Sequence, residues 1–248
     1  VYLLENREAI NLLLDEGLIR FAFQPIVDLK TGEVFAYEAL MRPLLENFKS
    51  PLEILSVAAA QSKIAPLERL VWMTAFQALR DRQREVRGRM LFINSIPSQA
   101  LPDEDLLALE RNYADLFGQV VIEIIEAEND SPAQLSRKLA FIRRYGMKIA
   151  IDDFGSGYSN EIRMLSLTPD ILKVDIELIR DIDKDQDKQK LVSNLVSFCH
   201  PKGIKMVGEG VERKEELAEL VRLGIDYVQG YYTGKPSYEI ASVEDGIR

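Results

Sequence analysis

The chain is poor in the side chains that build soft metal centres: it has one cysteine, Cys199, and one histidine, His200, adjacent in sequence. A single cysteine excludes an internal disulfide framework and suits a reducing compartment. No uncharged run approaches the roughly 18 residues of a membrane helix. Glu5, Arg7 and Glu8 interrupt any signal-peptide pattern at the start. Basic excess is missing too: 31 Lys and Arg stand against 40 Asp and Glu, a net charge of −9. That balance argues against a surface that coats nucleic acid, so no DNA or RNA polymer is expected as partner. A phosphate-bearing ligand would need bound cations or a few well-placed Arg and Lys. Because the first residue is Val1 rather than Met, the expectation is a piece of a longer protein.

Hydrophobic residues are abundant, at 47% of 248 residues, enough for a substantial core. Apolar runs alternate with helical patterns. Strands are expected at 21–29, 33–41, 90–93, 119–125, 147–151, 170–174, 204–208 and 226–229, with Thr31-Gly32 as a tight turn between the first two. Helices are expected at 51–63, 66–85, 102–116, 132–145, 160–167, 187–200 and 213–223. Residues 1–20, with Ile10 and the run Leu12 to Leu14, read as a lead-in helix or linker. Trp72 and Phe76, one helical turn apart, read as helix core. The alternating charges from Asp181 to Lys190 read as a solvated helix start. Repeated βα units at this length favour a (β/α)8 barrel over an open sheet. A tight hairpin cannot make a parallel crossover, so the first strand is expected to run antiparallel. The fold expected is an irregular α/β barrel filling one domain, with its core at 21–236.

Barrel active sites occupy the carboxyl ends of the strands. The polar residues there are Glu38, Asn94, Glu123 with Glu126, Asp152 with Asp153, Lys173 with Asp175, Glu209 and Gln229. These are hard oxygen donors with one lysine, a set suited to magnesium or manganese rather than structural zinc. The strand Met147 to Ile151 ends on the pair Asp152-Asp153, followed by a loop containing Gly155 and Gly157. Adjacent carboxylates repel unless a cation or protons neutralise them. The plainer reading is that one Asp starts a turn and the other caps a helix. The two glycines suit a tight turn or close approach to a phosphate.

Gln24-Pro25-Ile26-Val27, Glu38-Ala39-Leu40-Met41-Arg42, Asn94, Glu123-Ile124-Ile125-Glu126, Asp152-Asp153-Phe154-Gly155-Ser156-Gly157-Tyr158-Ser159, Lys173-Val174-Asp175, Glu209-Gly210-Val211-Glu212 and Gln229-Gly230-Tyr231-Tyr232 follow one another in the chain. This ordered set resembles the EAL domain family from about Phe21 to Pro236. The resemblance implies an irregular (β/α)8 barrel that hydrolyses cyclic di-GMP to linear pGpG with two divalent cations, magnesium or manganese, calcium being inhibitory. It implies that Glu38, Asn94, Glu123 and Asp152 hold one cation, and Asp152, Asp153 and Glu209 the second. Lys173 would orient or deprotonate the attacking water, with Asp175 and Gln229 supporting that network. Gln24, the backbone near Leu40, Arg42 and Gln229 would meet the ligand, and Glu126 would brace the loop after Asp153. It further implies a homodimer joined near the 160–167 helix, and a cytoplasmic domain following a sensory or cyclase-like domain in a full-length protein that membrane segments could anchor.

Two positions depart from the family pattern: Ile125 where Thr is common, and Asn160-Glu161-Ile162 where Ser-Leu often follows Ser159. No implied cation ligand is lost. A catalytically silent cyclic di-GMP receptor is the alternative function. An enolase-type barrel, with Lys173, Asp175 and Glu209 acting on a carboxylic acid, leaves Arg42 and Asn94 without a place.

Overall fold

Eight apolar runs close into one barrel in chain order: β1 (Ile19–Asp28), β2 (Val34–Pro43), β3 (Met90–Ser95), β4 (Val120–Ile124), β5 (Lys148–Phe154), β6 (Ile171–Val174), β7 (Lys205–Gly208) and β8 (Tyr227–Val228). The computed structural model describes residues 2–124, 131–155, 164 and 166–240, the first four of these by backbone alone. β1 runs antiparallel to both its neighbours, β2 and β8, and every other adjacent pair is parallel. The barrel is therefore irregular at its start, as the hairpin requires. The reversal itself is longer than a two-residue turn. Asp28 holds it, its Oδ1 accepting from the Lys30 and Thr31 amides at 2.7 and 3.0 Å. Backbone bonds from the Asp28 amide to the Glu33 carbonyl and from the Gly32 amide to the Asp28 carbonyl close the same turn, at 2.9 and 2.8 Å.

The helices are α1 (Tyr2–Asp15), α2 (Pro51–Ala60), α3 (Ile64–Asp81), α4 (Gln83–Val86), α5 (Asp103–Tyr113), α6 (Pro132–Arg144), α7 (Ile176–Ile179), α8 (Gln186–Cys199) and α9 (Lys214–Leu223). The expected helix over 66–85 breaks at Arg82, whose φ of −106° and ψ of 15° fall outside the helical basin. The one expected over 102–116 tightens into a 3-10 turn at Ala114–Gln119. α7 was not expected; four residues carry no period to read. Most of the expected 160–167 helix lies outside the described residues.

Between barrel and helices lies the main core, including Trp72 and Phe76 with ring centroids 6.4 Å apart. α1 packs on α2 and α3 through Ile10 and Leu13, both wholly buried, while Leu12 points to solvent. The charged stretch after α7 is exposed in part but is tied down. Arg213 Nη2 reaches Asp181 at 3.0 Å, Asp183 at 2.5 Å and Glu216 at 3.1 Å.

Inside the barrel a second apolar cluster forms a plug: Ile26, Ala36, Phe92, Val121, Ala150, Ile171 and Val207, one residue from each of β1 to β7. Tyr227 of β8 packs on it. Parallel and antiparallel strands alike turn alternate residues inward. The next inward position along each strand therefore lies one layer above the plug, and that layer is the site.

Candidate active site

Two residues from the plug toward the carboxyl ends of β2 to β8 stand Glu38, Asn94, Glu123, Asp152, Lys173, Glu209 and Gln229; on the antiparallel β1, two residues in the other direction, stands Gln24. The layer is polar throughout and largely sealed: Glu38, Glu123, Asp152, Lys173, Gln24 and Gln229 are buried. Chain alternation turns these side chains inward, and barrel closure brings them together from eight separate strands.

Asp153 would ordinarily face away from Asp152. The β5–β6 register shifts between Ile151 and Phe154, and Asp153 adopts a left-handed φ of 55°. Such a bulge re-aims a side chain, and a non-glycine residue in that basin is held there against strain. As a result Asp152, Asp153 and Glu209 each offer an oxygen within 4.8 Å of the others. Behind Asp153, Gly155 sits at φ 110°, where an added Cβ would strike Leu178 of α7.

At the centre is the Lys173 ammonium, 2.7 Å from Glu123 Oε1, 2.8 Å from Glu209 Oε1, 2.9 Å from Asp152 Oδ1 and 3.4 Å from Glu38 Oε2. Burial disfavours its charge, but Asp152, Glu123, Glu209 and Glu38 together hold it well above the ordinary lysine range. Without bound divalent cations Lys173 is therefore held as a cation and a hydrogen-bond donor, with its proton retained. Glu38 accepts from Asn94 Nδ2 at 2.9 Å and Gln229 Nε2 at 2.7 Å. Burial pushes this carboxyl up, yet Lys173, Gln229 and Asn94 bring it below its usual value. Glu123 is driven well up by burial and then by the Glu38 charge, with Lys173 opposing. Burial also raises Glu209 well up, against Lys173. Asp153 is pushed to about 6 by burial and the Asp152 charge.

Five carboxylates facing one ammonium leave an excess of negative charge that protons or cations must relieve. Glu123 Oε2 is buried with no hydrogen-bond partner. An all-oxygen set with an orphaned carboxylate oxygen fits hard divalent cations. Beside the layer opens a cleft of 330 Å³, within the range of small-molecule sites. Its floor is Glu38, Asn94, Asp152 and Asp153, and its wall includes Leu40, Met41, Leu52 and Leu55. Arg42 lies at this wall, half-buried, one donor spent on the Met41 carbonyl at 2.9 Å.

Other expected residues have clear local roles. Gln229 also donates to Gln24 Oε1 at 3.1 Å, and Gln24 donates to the Gly234 carbonyl. Both amides are thus engaged in the layer itself. Asp175 caps α7, accepting from the Glu177 amide at 2.8 Å, and its charge contributes to raising Asp153. Glu126, Ile125, Gly157 and the Ser159 to Ile162 stretch lie outside the described residues. Cys199 and His200 take no part. They sit at the end of α8, His200 Nε2 3.0 Å from Asp226 and the thiol pushed by burial to about 11. Two charges escaped sequence reading, Glu68 and Lys138, both buried and paired at 2.7 Å. Their signal was position: Glu68 falls a turn before Trp72, and Lys138 shares the inner face of α6 with Phe141 and Ile142.

Residues 7–236 match the family described as EAL domain. The chain belongs to the EAL domain family. Among curated relatives, it is 28% identical over 92% of its length to the probable cyclic di-GMP phosphodiesterase PdeA of Escherichia coli, covering 32% of that protein. It is 29% identical over 99% of its length to the cyclic di-GMP phosphodiesterase NbdA of Pseudomonas aeruginosa, again covering 32%. The chain thus spans about a third of the curated relatives it matches. Among solved structures, Klebsiella pneumoniae BlrP1 in its calcium and cyclic di-GMP complex aligns at TM-score 0.78 and 32% identity, over 91% of this chain and 58% of that one. A standalone EAL protein of Vibrio cholerae in its cyclic di-GMP-bound form aligns at TM-score 0.77 and 32% identity, over 91% and 95%. Among the described residues no helix is long and apolar enough to cross a membrane.

Proposed function

We propose that this EAL domain is a metal-dependent phosphodiesterase that opens cyclic di-GMP to linear pGpG. The observation that carries this reading is the polar layer: five acidic side chains from four strands, with Asn94 from a fifth, converge around one buried lysine. The acidic excess is of the kind that divalent cations relieve, and the cleft beside it takes a small ligand.

Glu38, Asn94, Glu123 and Asp152 are assigned to one cation, and Asp152, Asp153 and Glu209 to a second. When bound, such a pair supplies water activation and charge neutralisation at the attacking and leaving oxygens of an in-line displacement. This chain's own residues do the rest. Arg42 presents its remaining guanidinium donors to a phosphate oxygen, a geometry suited to bidentate contact. Leu40, Met41, Leu52 and Leu55 take the flat face of a guanine against an apolar wall and exclude water there. Lys173, its three hydrogens turned to the surrounding carboxylates, holds those carboxylates in position and lends its positive charge to the phosphoryl oxygens as negative charge grows on them. Gln229 and Asn94 fix the Glu38 carboxylate, so the acceptor side of the site does not reorient during reaction. Water adds to one phosphorus, the bond from that phosphorus to the 3′ oxygen breaks, and that oxygen takes up a proton. The product keeps a 5′ phosphate.

The test is hydrolysis of cyclic di-GMP in magnesium or manganese under single-turnover conditions, with binding measured in calcium. Release of pGpG supports the reading. A domain that binds the dinucleotide and leaves it intact in both metals would be a receptor. The second-copy contact belongs to the same reading: dilution that lowers specific activity supports a dimer, and a strict monomer of constant activity removes it.

A further inference from the structure

Beneath Asn94, on the outer side of the barrel wall, lies a charged cluster that the reaction does not use directly. Lys138 of α6 is 3% exposed and Glu68 of α3 is 1% exposed. Lys138 Nζ donates to Glu68 Oε1 at 2.7 Å, to Ser95 Oγ at 2.6 Å and to the Ile96 carbonyl at 2.6 Å. Those three bonds use all the ammonium hydrogens. Glu68 in turn accepts from Ser95 Oγ at 2.5 Å and from the Ile96 amide at 3.1 Å. The Trp72 ring lies 5.8 Å from the same ammonium, within reach of cation–π attraction.

A buried ion pair is an expensive way to join two helices; apolar side chains of like size often stabilise as well or better. What this pair accomplishes that apolar residues cannot is to bind backbone. Two helices grip both polar groups of Ile96 and the hydroxyl of Ser95, at the point where β3 ends. In a strand, successive side chains face opposite sides. Leu91, Ile93 and Ser95 face the helices, while Phe92 and Asn94 face the barrel interior. Anchoring Ser95 from outside therefore fixes the peptide from which Asn94 projects inward to Glu38. Glu68, Ser95 and Ile96 also line the cleft wall, so the same anchor sets the edge of the ligand site.

We propose that Glu68, Lys138 and Ser95 are positioning residues for Asn94, and that they set the cation affinity of the site and the shape of its cleft. The inference rests on the assignment of Asn94 to a cation in the preceding section. It concerns residues on the outer side of β3 and on the two helices that cover it, which act through the peptide link between Ser95 and Asn94.

Three variants test it: Ser95→Ala, Lys138→Met, and the double variant Glu68→Gln with Lys138→Met. The single lysine change leaves Glu68 buried without its counter-charge and can unfold the chain. The double variant removes both charges, and Ser95→Ala keeps the pair intact, so folded protein is available either way. The readouts are Mn²⁺ affinity by calorimetry without nucleotide, the Mn²⁺ concentration for half-activation, kcat at saturating Mn²⁺, and the thermal melt. Loss of an outer support to a metal ligand weakens affinity by about 10-fold or more. We expect that weakening in the double variant, a smaller one in Ser95→Ala, half-activation shifted by the same factor, and kcat restored at saturating Mn²⁺. A purely structural cluster would lower the melt and leave Mn²⁺ affinity at the wild-type value, which would overturn the proposal. Wild type that binds no Mn²⁺ overturns it together with the cation assignment. Wild type that binds Mn²⁺ without hydrolysis overturns the phosphodiesterase reading alone, because the titrations still decide the role of the cluster.

Discussion

Lys173 and Glu123 meet at 2.7 Å in the centre of the barrel, the lysine 1% exposed and the glutamate side chain wholly withdrawn from water. The two groups are held by opposite forces. The lysine is kept charged by four surrounding carboxylates, while Glu123 is driven toward its neutral form by burial and by Glu38. A site with one ammonium and five acids has room for added positive charge, and the behaviour of the domain without and with divalent cations follows from that.

Lys173→Ala is expected to lose turnover by ~10²–10³-fold, the range for losing a group that stabilises developing transition-state charge. Affinity for cyclic di-GMP in calcium is expected to stay near wild type, because Arg42 and the cleft wall remain. Single-turnover hydrolysis in magnesium and calorimetry in calcium measure the two quantities. Wild-type turnover in the variant would reduce Lys173 to a structural ion-pair residue.

Glu38→Gln keeps the size of the side chain and one acceptor for Asn94 and Gln229, so the fold should stand. Turnover in magnesium should fall by ~10²-fold or more, beyond the cost of a lost outer partner. A circular-dichroism melt beside the pGpG assay checks both statements, and retained turnover removes Glu38 from the cation site.

Asp153 gives a pH effect with a definite sign. Its carboxyl is raised from 3.8 to about 6 in the folded chain, so between those values the folded state binds more protons than the unfolded state. Cation-free stability attributable to this group therefore falls as pH rises through that window, and the loss is complete above it. Asp153→Asn cannot ionise. It should melt higher than wild type at neutral pH without cations, with an advantage that vanishes below about pH 4. Manganese should reverse the order at neutral pH, because only the wild type offers the charged oxygen. Melting curves across pH in chelator and in manganese decide it; a pH-independent difference would contradict the sign.

Gly155→Ala places a Cβ against Leu178 at a φ of 110°. Strain in that region costs on the order of 1–3 kcal/mol, which for a chain of this size lowers the melt by ~2–4 °C per kcal/mol. Adding Leu178→Ala should relieve the collision and leave the backbone strain, so recovery is partial. Full recovery would mean that contact alone demands glycine there.

The strand pattern in the sequence determined most of the architecture. Apolar runs punctuated by helical periods specify βα units, a short reversal after Asp28 specifies an antiparallel start, and a residue such as Asn94 or Glu209 at a strand end marks the active face. Period-two alternation even fixes which residues lie one layer above the plug, because inward positions are two apart: Ala36 and Glu38, Phe92 and Asn94, Ala150 and Asp152. Local signals failed where pairing across the chain sets the conformation. The bulge that turns Asp153 beside Asp152 arises from the β5–β6 register, and α7 exists because Asp175 caps it against the barrel. Nothing local marks Glu68 and Lys138 as partners; they meet only when two helices, with these residues 70 apart in sequence, close over the end of β3. Periodicity along one chain tells which face a residue occupies. Only barrel closure decides which faces meet, since the free energy of burying a charge depends on neighbours that the local sequence does not contain.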